Sequence, residues 1–232
     1  MAKTALVVGA GSGISAAFTR KLAAAGYAVT LAARSVDDLS SLCIETGALA
    51  IPSDATDAAQ VASLFASIDE RHGRLDVVLY NASFRTRGPL IDLDPVKVQA
   101  SLMTTAYGGF LVGQQAAKRM LSQGNGTILF TGASASIKGY AQSAPFAMGK
   151  FALRGLAQSM ARELGPKGVH VVHAVIDGGV RNSATGRVEG ADTTPDSLLD
   201  PDAIADTYLQ LVQQPRNAWT FEIELRPWVE RF

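Results

Sequence analysis

The chain has 232 residues, a length that suits one α/β domain, which often reaches about 250 residues as a single unit, and leaves a second core cramped. Hydrophobic residues make up 47% and charged residues only 18%, so wholesale disorder is excluded. The 21 Lys+Arg and 21 Asp+Glu cancel with no run of one sign, which speaks against a nucleic-acid partner or an anionic membrane surface.

Taken in chain order, short apolar runs alternate with longer helical patterns. Strands are predicted at Ala5–Val8, Ala28–Ala32, Ala48–Ile51, Val77–Tyr80, Thr127–Phe130, Val169–Val175 and Phe221–Leu225. Helices are predicted between them, at Ile14–Ala25, Val36–Glu45, Asp57–Arg71, Pro95–Ser122, Ala144–Leu164 and Pro201–Gln213. Several strands are apolar at consecutive positions, as expected where both faces are covered. The alternation predicts an α/β fold: one domain spanning 1–232, with a Rossmann-like, doubly wound parallel sheet of about seven strands and helices on both faces. The polar segment Asn182–Asp200 is long for a loop and reads as a functional lid.

Cys43 is the only cysteine, which excludes an internal disulfide and a cysteine-based zinc site. His72, His170 and His173 are the only histidines, too few in this pattern to suggest a metal centre. The N-terminal MAKTALVVGAGSG enters a strand without a signal peptide's cleavage region, and no apolar stretch approaches the about 20 residues of a membrane span. The expectation is a soluble, cytoplasmic protein.

The first predicted strand runs into Gly9-Ala10-Gly11-Ser12-Gly13-Ile14-Ser15 and then a helix. Glycines there permit a tight turn and let backbone N–H groups approach a pyrophosphate at the positive end of the helix. A bare strand-to-helix turn would use the same residues. The second strand, however, ends at Ala33-Arg34 with no acidic residue beside it. A carboxylate at such a strand end would hold a ribose 2′-hydroxyl, whereas a guanidinium suits a 2′-phosphate. NADP(H) is therefore favoured over NAD(H).

These residues resemble the short-chain dehydrogenase/reductase family. Gly9, Gly13 and Ile14 resemble its glycine signature, with Ser15 where a third glycine is usual. Ser53-Asp54-Ala55 resembles the adenine-contacting segment, and Asn81-Ala82-Ser83 the Asn-Ala-Gly motif with serine in place of glycine. Pro145-Phe146-Ala147-Met148-Gly149-Lys150 stands where the family carries Tyr-x-x-x-Lys. Ile176-Asp177-Gly178-Gly179-Val180 stands where it carries Pro-Gly before the substrate loop. The resemblance covers nearly the whole chain. It implies cofactor contacts from Gly9, Gly11, Ser12, Gly13, Ile14, Arg34, Asp54, Ala55, Asn81, Ala82, Ser83, Lys150, Gly178 and Val180.

The resemblance also implies where catalysis should sit. In the family a tyrosine exchanges a proton with the substrate oxygen, a lysine lowers that tyrosine's pKa and holds the nicotinamide ribose, a serine orients the carbonyl, and an asparagine completes a water relay. Read across, the lysine is Lys150, but the tyrosine is Phe146, the serine is Ala133 with Ser134 beside it, and the asparagine is Thr105. Phe146 has no titratable proton at any pH. Tyr140, six positions earlier, is the preferred replacement, with Ser134 near the same mouth, so the expected catalytic set is Lys150, Tyr140 and Ser134.

Three readings follow. One is an NADP(H)-dependent oxidoreductase acting on a small carbonyl or alcohol with a degenerate catalytic tetrad. The second is a dinucleotide-binding, weak or inactive relative with a sensing or assembly role. The third is a reductase of imines or activated alkenes that needs no tyrosine acid. Family members commonly assemble through their two long helices, here Pro95–Ser122 and Ala144–Leu164, so a homodimer or homotetramer is expected. Gly108, Gly109 and Gly113 would allow close helix approach, between subunits or within one. Trp228 and Phe232 would cover their own core or dock on another subunit.

Overall fold

The computed structural model describes residues 2–190 and 194–230. The first half alternates β1 (Thr4–Val8), α1 (Ile14–Ala24), β2 (Ala28–Ala33), α2 (Ser40–Thr46), β3 (Leu49–Pro52), α3 (Ala58–His72) and β4 (Val77–Tyr80). The second half adds α4 (Pro95–Leu102), α5 (Gly108–Gln123), β5 (Gly126–Thr131), α6 (Ala144–Leu164), β6 (Val169–Ile176), β7 (Gly179–Val180), β8 (Leu198–Leu199), α7 (Pro201–Gln213) and β9 (Glu222–Leu225). Seven strands form one sheet in the order β3-β2-β1-β4-β5-β6-β9, every pair parallel. The order reverses between β1 and β4, which opens a crevice above their carboxyl ends.

Continuous apolar strands dictate a helix layer on each side. On one face Phe18 and Leu22 of α1 pack with Ile204, Tyr208 and Leu211 of α7. On the other, Phe65 and Ile68 of α3, Val112 and Ala116 of α5, and Leu153 of α6 cover β4 and β5. Burying each such side chain is worth about 1.5–3 kcal/mol, so these layers, rather than helix propensity, hold the fold.

The sequence reading differs from the structure in three places. The helix expected over Pro95–Ser122 is interrupted by a π-helical turn at Met103–Tyr107. The helix expected over Val36–Glu45 starts as a 3₁₀ turn at Asp37–Leu39. The long Asn182–Asp200 segment is not wholly irregular: its far end forms β8, which pairs in parallel with β7 just before it. The tight spots explain the glycines. A Cβ at Gly109 would stand 2.5 Å from Leu153 Cδ1, one at Gly108 2.9 Å from the Ala55 carbonyl oxygen, and one at Gly113 3.1 Å from the Met160 side chain. Those glycines serve packing within the subunit. Trp228 is 79% exposed, so it does not cover its own core, and Phe232 lies outside the described residues.

Candidate functional site

The turn between β1 and α1 is pinned to the end of β2, because the N–H groups of Gly9 and Ala10 both donate to the Ala32 carbonyl, at 2.9 and 3.0 Å. Gly9 takes φ +79°, and a Cβ there would stand 2.5 Å from Ala82 Cα, so the turn needs glycine on two counts. Gly13 precedes α1 at φ +85°, and no side chain caps the helix. By contrast Asp57 and Asp200 cap α3 and α7. The first N–H groups of α1 therefore remain available at the crevice. Ser15, in the place of the third glycine, is buried and tied into the turn: its hydroxyl donates to the Gly9 carbonyl (3.0 Å) and accepts from Asn81 Nδ2 (2.9 Å). That linkage fixes the loop after β4 against the glycine turn.

Two cavities flank this turn and share Asn81 and Ser83 in their walls. The first, of about 950 Å³, lies over the ends of β2 and β3 and is lined by Gly9, Arg34, Asp54, Ala55 and Ala82 among others. Arg34 has no ion pair among the described residues. Ser53 also lines it, with a buried hydroxyl that has no hydrogen-bond partner. An orphaned hydroxyl, an unpaired guanidinium and a glycine turn too tight for a side chain fit the adenosine and phosphate portions of a dinucleotide. Asp54 is a local organiser as well, since its carboxylate accepts from the Thr56 N–H and hydroxyl at 2.8 Å each.

The second cavity, of about 750 Å³, lies over the ends of β4, β5 and β6 and is lined by Ile14, Ser134, Tyr140, Phe146, Lys150, Gly178 and Val180, with others. Lys150 forms part of its floor, 3% exposed, and donates to the Thr131 carbonyl at 2.6 Å. Burial, with the nearby Arg85 charge, pushes the Lys150 ammonium down to about 7. Phe146 is buried beside it, with the Lys150 nitrogen 5.7 Å from the ring centroid and the Arg85 guanidinium 3.9 Å from it. Tyr140 is exposed at the mouth, with the Lys138 nitrogen 5.6 Å from its ring centroid. Ala133 lines the wall and Thr105 lies outside it, its hydroxyl buried and unpartnered against Gly149.

Of the residues singled out from the sequence, Gly9, Ile14, Arg34, Asp54, Ala55, Asn81, Ala82, Ser83, Ser134, Tyr140, Lys150, Gly178 and Val180 line the two cavities, and Thr105 does not. Gly11, Ser12 and Gly13 complete the turn, and Ser12 accepts a hydrogen bond from Asn182 Nδ2 at 3.0 Å, which joins the segment after β7 to the turn. Sequence reasoning missed several features. Arg85, Arg87 and Arg187 also line the second cavity; the first two form a basic doublet in the loop after β4, a signal available in the sequence. Behind the floor lies a network with no local signature, in which His173 Nδ1 meets Glu222 at 2.9 Å and Arg154 clasps the same carboxylate with two bonds of 2.7 Å. Burial pushes the His173 imidazole down to about 4.

A doubly wound sheet with a glycine turn at its reversal point is the architecture of a dinucleotide-type α/β domain. A profile of the family described as short chain dehydrogenase matches residues 3–191, and the chain belongs to that family. It is 30% identical to a sepiapterin reductase of Chlorobaculum tepidum, over 96% of this chain and 95% of the relative. A short-chain dehydrogenase from Rhodopseudomonas palustris is 35% identical and superposes with a TM-score of 0.83, covering 97% of this chain and 99% of that one. An alcohol dehydrogenase from the archaeon Thermococcus sibiricus, complexed with 5-hydroxy-NADP, is 27% identical with a TM-score of 0.87, covering 99% and 98% of the two chains. No helix among the described residues is long and apolar enough to cross a membrane.

Proposed function

We propose that the protein is an NADP(H)-dependent oxidoreductase acting on a small carbonyl or alcohol with a reduced set of proton-handling groups. The observation that carries this reading is the placement of Arg34, the open N-terminus of α1 and the buried Lys150 along one crevice. Arg34 would grip the 2′-phosphate, the turn Gly9–Gly13 the pyrophosphate, Asp54 and Ala55 the adenine, and Lys150 with Asn81 the nicotinamide ribose. Gly178 and Val180 would flank the nicotinamide. The NADP analogue bound by the Thermococcus sibiricus relative supports NADP(H) over NAD(H). When bound, the coenzyme supplies or accepts a hydride at the substrate carbon.

The chain's own residues must hold the substrate and manage the proton. Phe146 closes the wall without proton chemistry. Lys150, poised near neutrality by burial, can hold or release a proton at Nζ, and Tyr140 and Ser134 present hydroxyls to the same cavity. Tyr107 at the end of the π-helical turn stacks with Phe110 of α5, ring centroids 6.2 Å apart, and both are exposed, as is Phe151 of α6; exposed aromatic groups of this kind suit a homodimer or homotetramer.

Fluorescence titration with NADPH and NADH tests the reading. We expect NADPH to bind at least about tenfold more tightly, the scale of one charge-assisted phosphate contact, and Arg34→Asp to remove that preference. Failure of both coenzymes to bind at millimolar concentration would overturn the function.

A further inference from the structure

The second cavity carries a charge imbalance that proton handling does not explain. Arg85, Arg87 and Arg187 all line it. Arg85 and Arg87 come from the loop after β4, and Arg187 from the segment between β7 and β8, about a hundred residues further along the chain. None forms an ion pair among the described residues, although Arg20, Arg74, Arg119, Arg154, Arg181 and Arg226 all do. The guanidiniums are close enough to feel one another: burial, and the charges of Arg87 and Arg187, hold Arg85 below the usual arginine range. Two carboxylates share the lining. Asp177 is committed to Arg226 at 3.2 Å, and Glu230 makes no ion pair among the described residues.

The loop that carries the doublet is anchored. The Ser101 hydroxyl donates to the Phe84 carbonyl at 2.8 Å, and the Gly88 N–H donates to the Gln142 carbonyl at 3.1 Å. Arg85 then holds its guanidinium carbon 3.9 Å from the centroid of the Phe146 ring, the ring that Lys150 Nζ approaches to 5.7 Å. Bringing three like charges together costs free energy, and a planar guanidinium fork matches the oxygens of a carboxylate or phosphate. Arg34 and the α1 turn already serve the phosphates of the proposed coenzyme from the neighbouring cavity.

We infer that Arg85, Arg87 and Arg187 receive an anionic group of the substrate, a carboxylate or a phosphate, and so make this an enzyme of small anionic carbonyl or alcohol compounds. The inference rests on the oxidoreductase reading for the word substrate, but the anion site itself is testable without it. The Arg85 guanidinium, above Phe146, would hold the anion at the cavity wall, while Arg87 and Arg187 close over it from the mouth.

Isothermal titration would use matched probes that differ mainly in charge: 4-oxopentanoate against 2-pentanone, and dihydroxyacetone phosphate against dihydroxyacetone. Each is titrated into the coenzyme-free protein and into protein saturated with NADP⁺. We expect the anions to bind about tenfold or more tightly than their neutral counterparts, and the Arg85→Gln/Arg87→Gln double variant and Arg187→Gln each to erase most of that margin. Arg71→Gln, on an exposed arginine of α3 outside both cavities, should leave it intact. The stronger of the two anions distinguishes carboxylate from phosphate. In the unsubstituted protein, phenylglyoxal labelling of Arg85 and Arg187, mapped by mass spectrometry, should slow when the preferred anion is present. Equal binding of charged and neutral probes would overturn the inference. So would arginine variants that lose NADP⁺ affinity as steeply as probe affinity, because the guanidiniums would then belong to the coenzyme. If the protein binds no coenzyme at all, the oxidoreductase reading fails, while the coenzyme-free titration still decides the anion site.

Discussion

Acid should destabilise this protein in part through the imidazole of His173. The His173 side chain is fully buried in β6, facing Glu222 through Nδ1, and its Nε2 has no hydrogen-bond partner. Burial is the largest influence on it; the Glu222 contact opposes burial, while Lys150 and Arg154 add to it, and the imidazole titrates at about 4 instead of 6.5. The folded state therefore keeps His173 neutral over a range in which the unfolded chain takes up a proton. Above pH 6.5 both states are neutral and stability is unaffected; as pH falls from 6.5 towards 4 the unfolded state gains, and below 4 the loss levels off. At about 1.4 kcal/mol per tenfold in proton affinity, the full loss is about 3 kcal/mol, a large share of a typical 5–15 kcal/mol stability. Urea unfolding followed by circular dichroism at several pH values between 7.5 and 4, on the natural sequence and on His173→Asn, isolates the effect. The natural protein should lose about 3 kcal/mol more than the variant across that window. Parallel pH profiles would refute the reasoning, because they would mean that His173 is protonated in the fold or exchanges freely with water.

Other substitutions test the crevice. Gly9→Ala should lower the melting temperature and weaken NADPH binding at least about tenfold, since it adds a left-handed backbone penalty of about 1–2 kcal/mol to a collision with Ala82, whereas Gly11→Ala, whose methyl meets nothing within 4 Å, should melt like the parent; calorimetry with fluorescence titration checks both. Phe146→Tyr should raise reductase turnover by about 10²–10⁴-fold on any carbonyl the parent reduces slowly, followed as NADPH oxidation at 340 nm, and no gain would mean that another group already donates the proton. Tyr140→Phe should abolish turnover while sparing coenzyme affinity, and unchanged turnover would remove Tyr140 from the proton path.

The strands were readable because both faces of the sheet are covered, so β1, β4 and β6 are buried throughout and mostly apolar, in contrast with the amphipathic helices between them. The start of the glycine turn was readable because at Gly9 a positive φ and a close approach to the Ala82 backbone leave no room for another residue. The π-helical turn at Met103–Tyr107 was not, since one extra residue per turn barely disturbs a helical apolar pattern. Nor were the two-residue strands β7 and β8, which are too short for any periodicity. Ser15 read as a lapse from the glycine pattern, yet its hydroxyl takes up the Gly9 carbonyl and the Asn81 amide, a pairing set by topology rather than by spacing. The same holds for Arg187, which only the crossover of the chain brings to the cavity of Arg85.

Phe146 and Arg85, at one wall of the cavity, belong to a single electrostatic problem. A tyrosine beside Lys150 can carry negative charge and balance the ammonium. Phe146 cannot, and its ring offers two nearby cations only a quadrupole, worth about 0.5–2 kcal/mol per cation. That is weaker than a charge-assisted bond to an oxyanion. Arg85 and Lys150 therefore repel each other across a wall that cannot neutralise them, and part of the depression of Lys150 comes from Arg85. An anion bound at Arg85 would cancel that repulsion and strengthen the hold of Lys150 on its proton. Binding the substrate would then charge the lysine that faces it, so that recognition and proton supply become one event in a cavity whose wall at Phe146 provides neither.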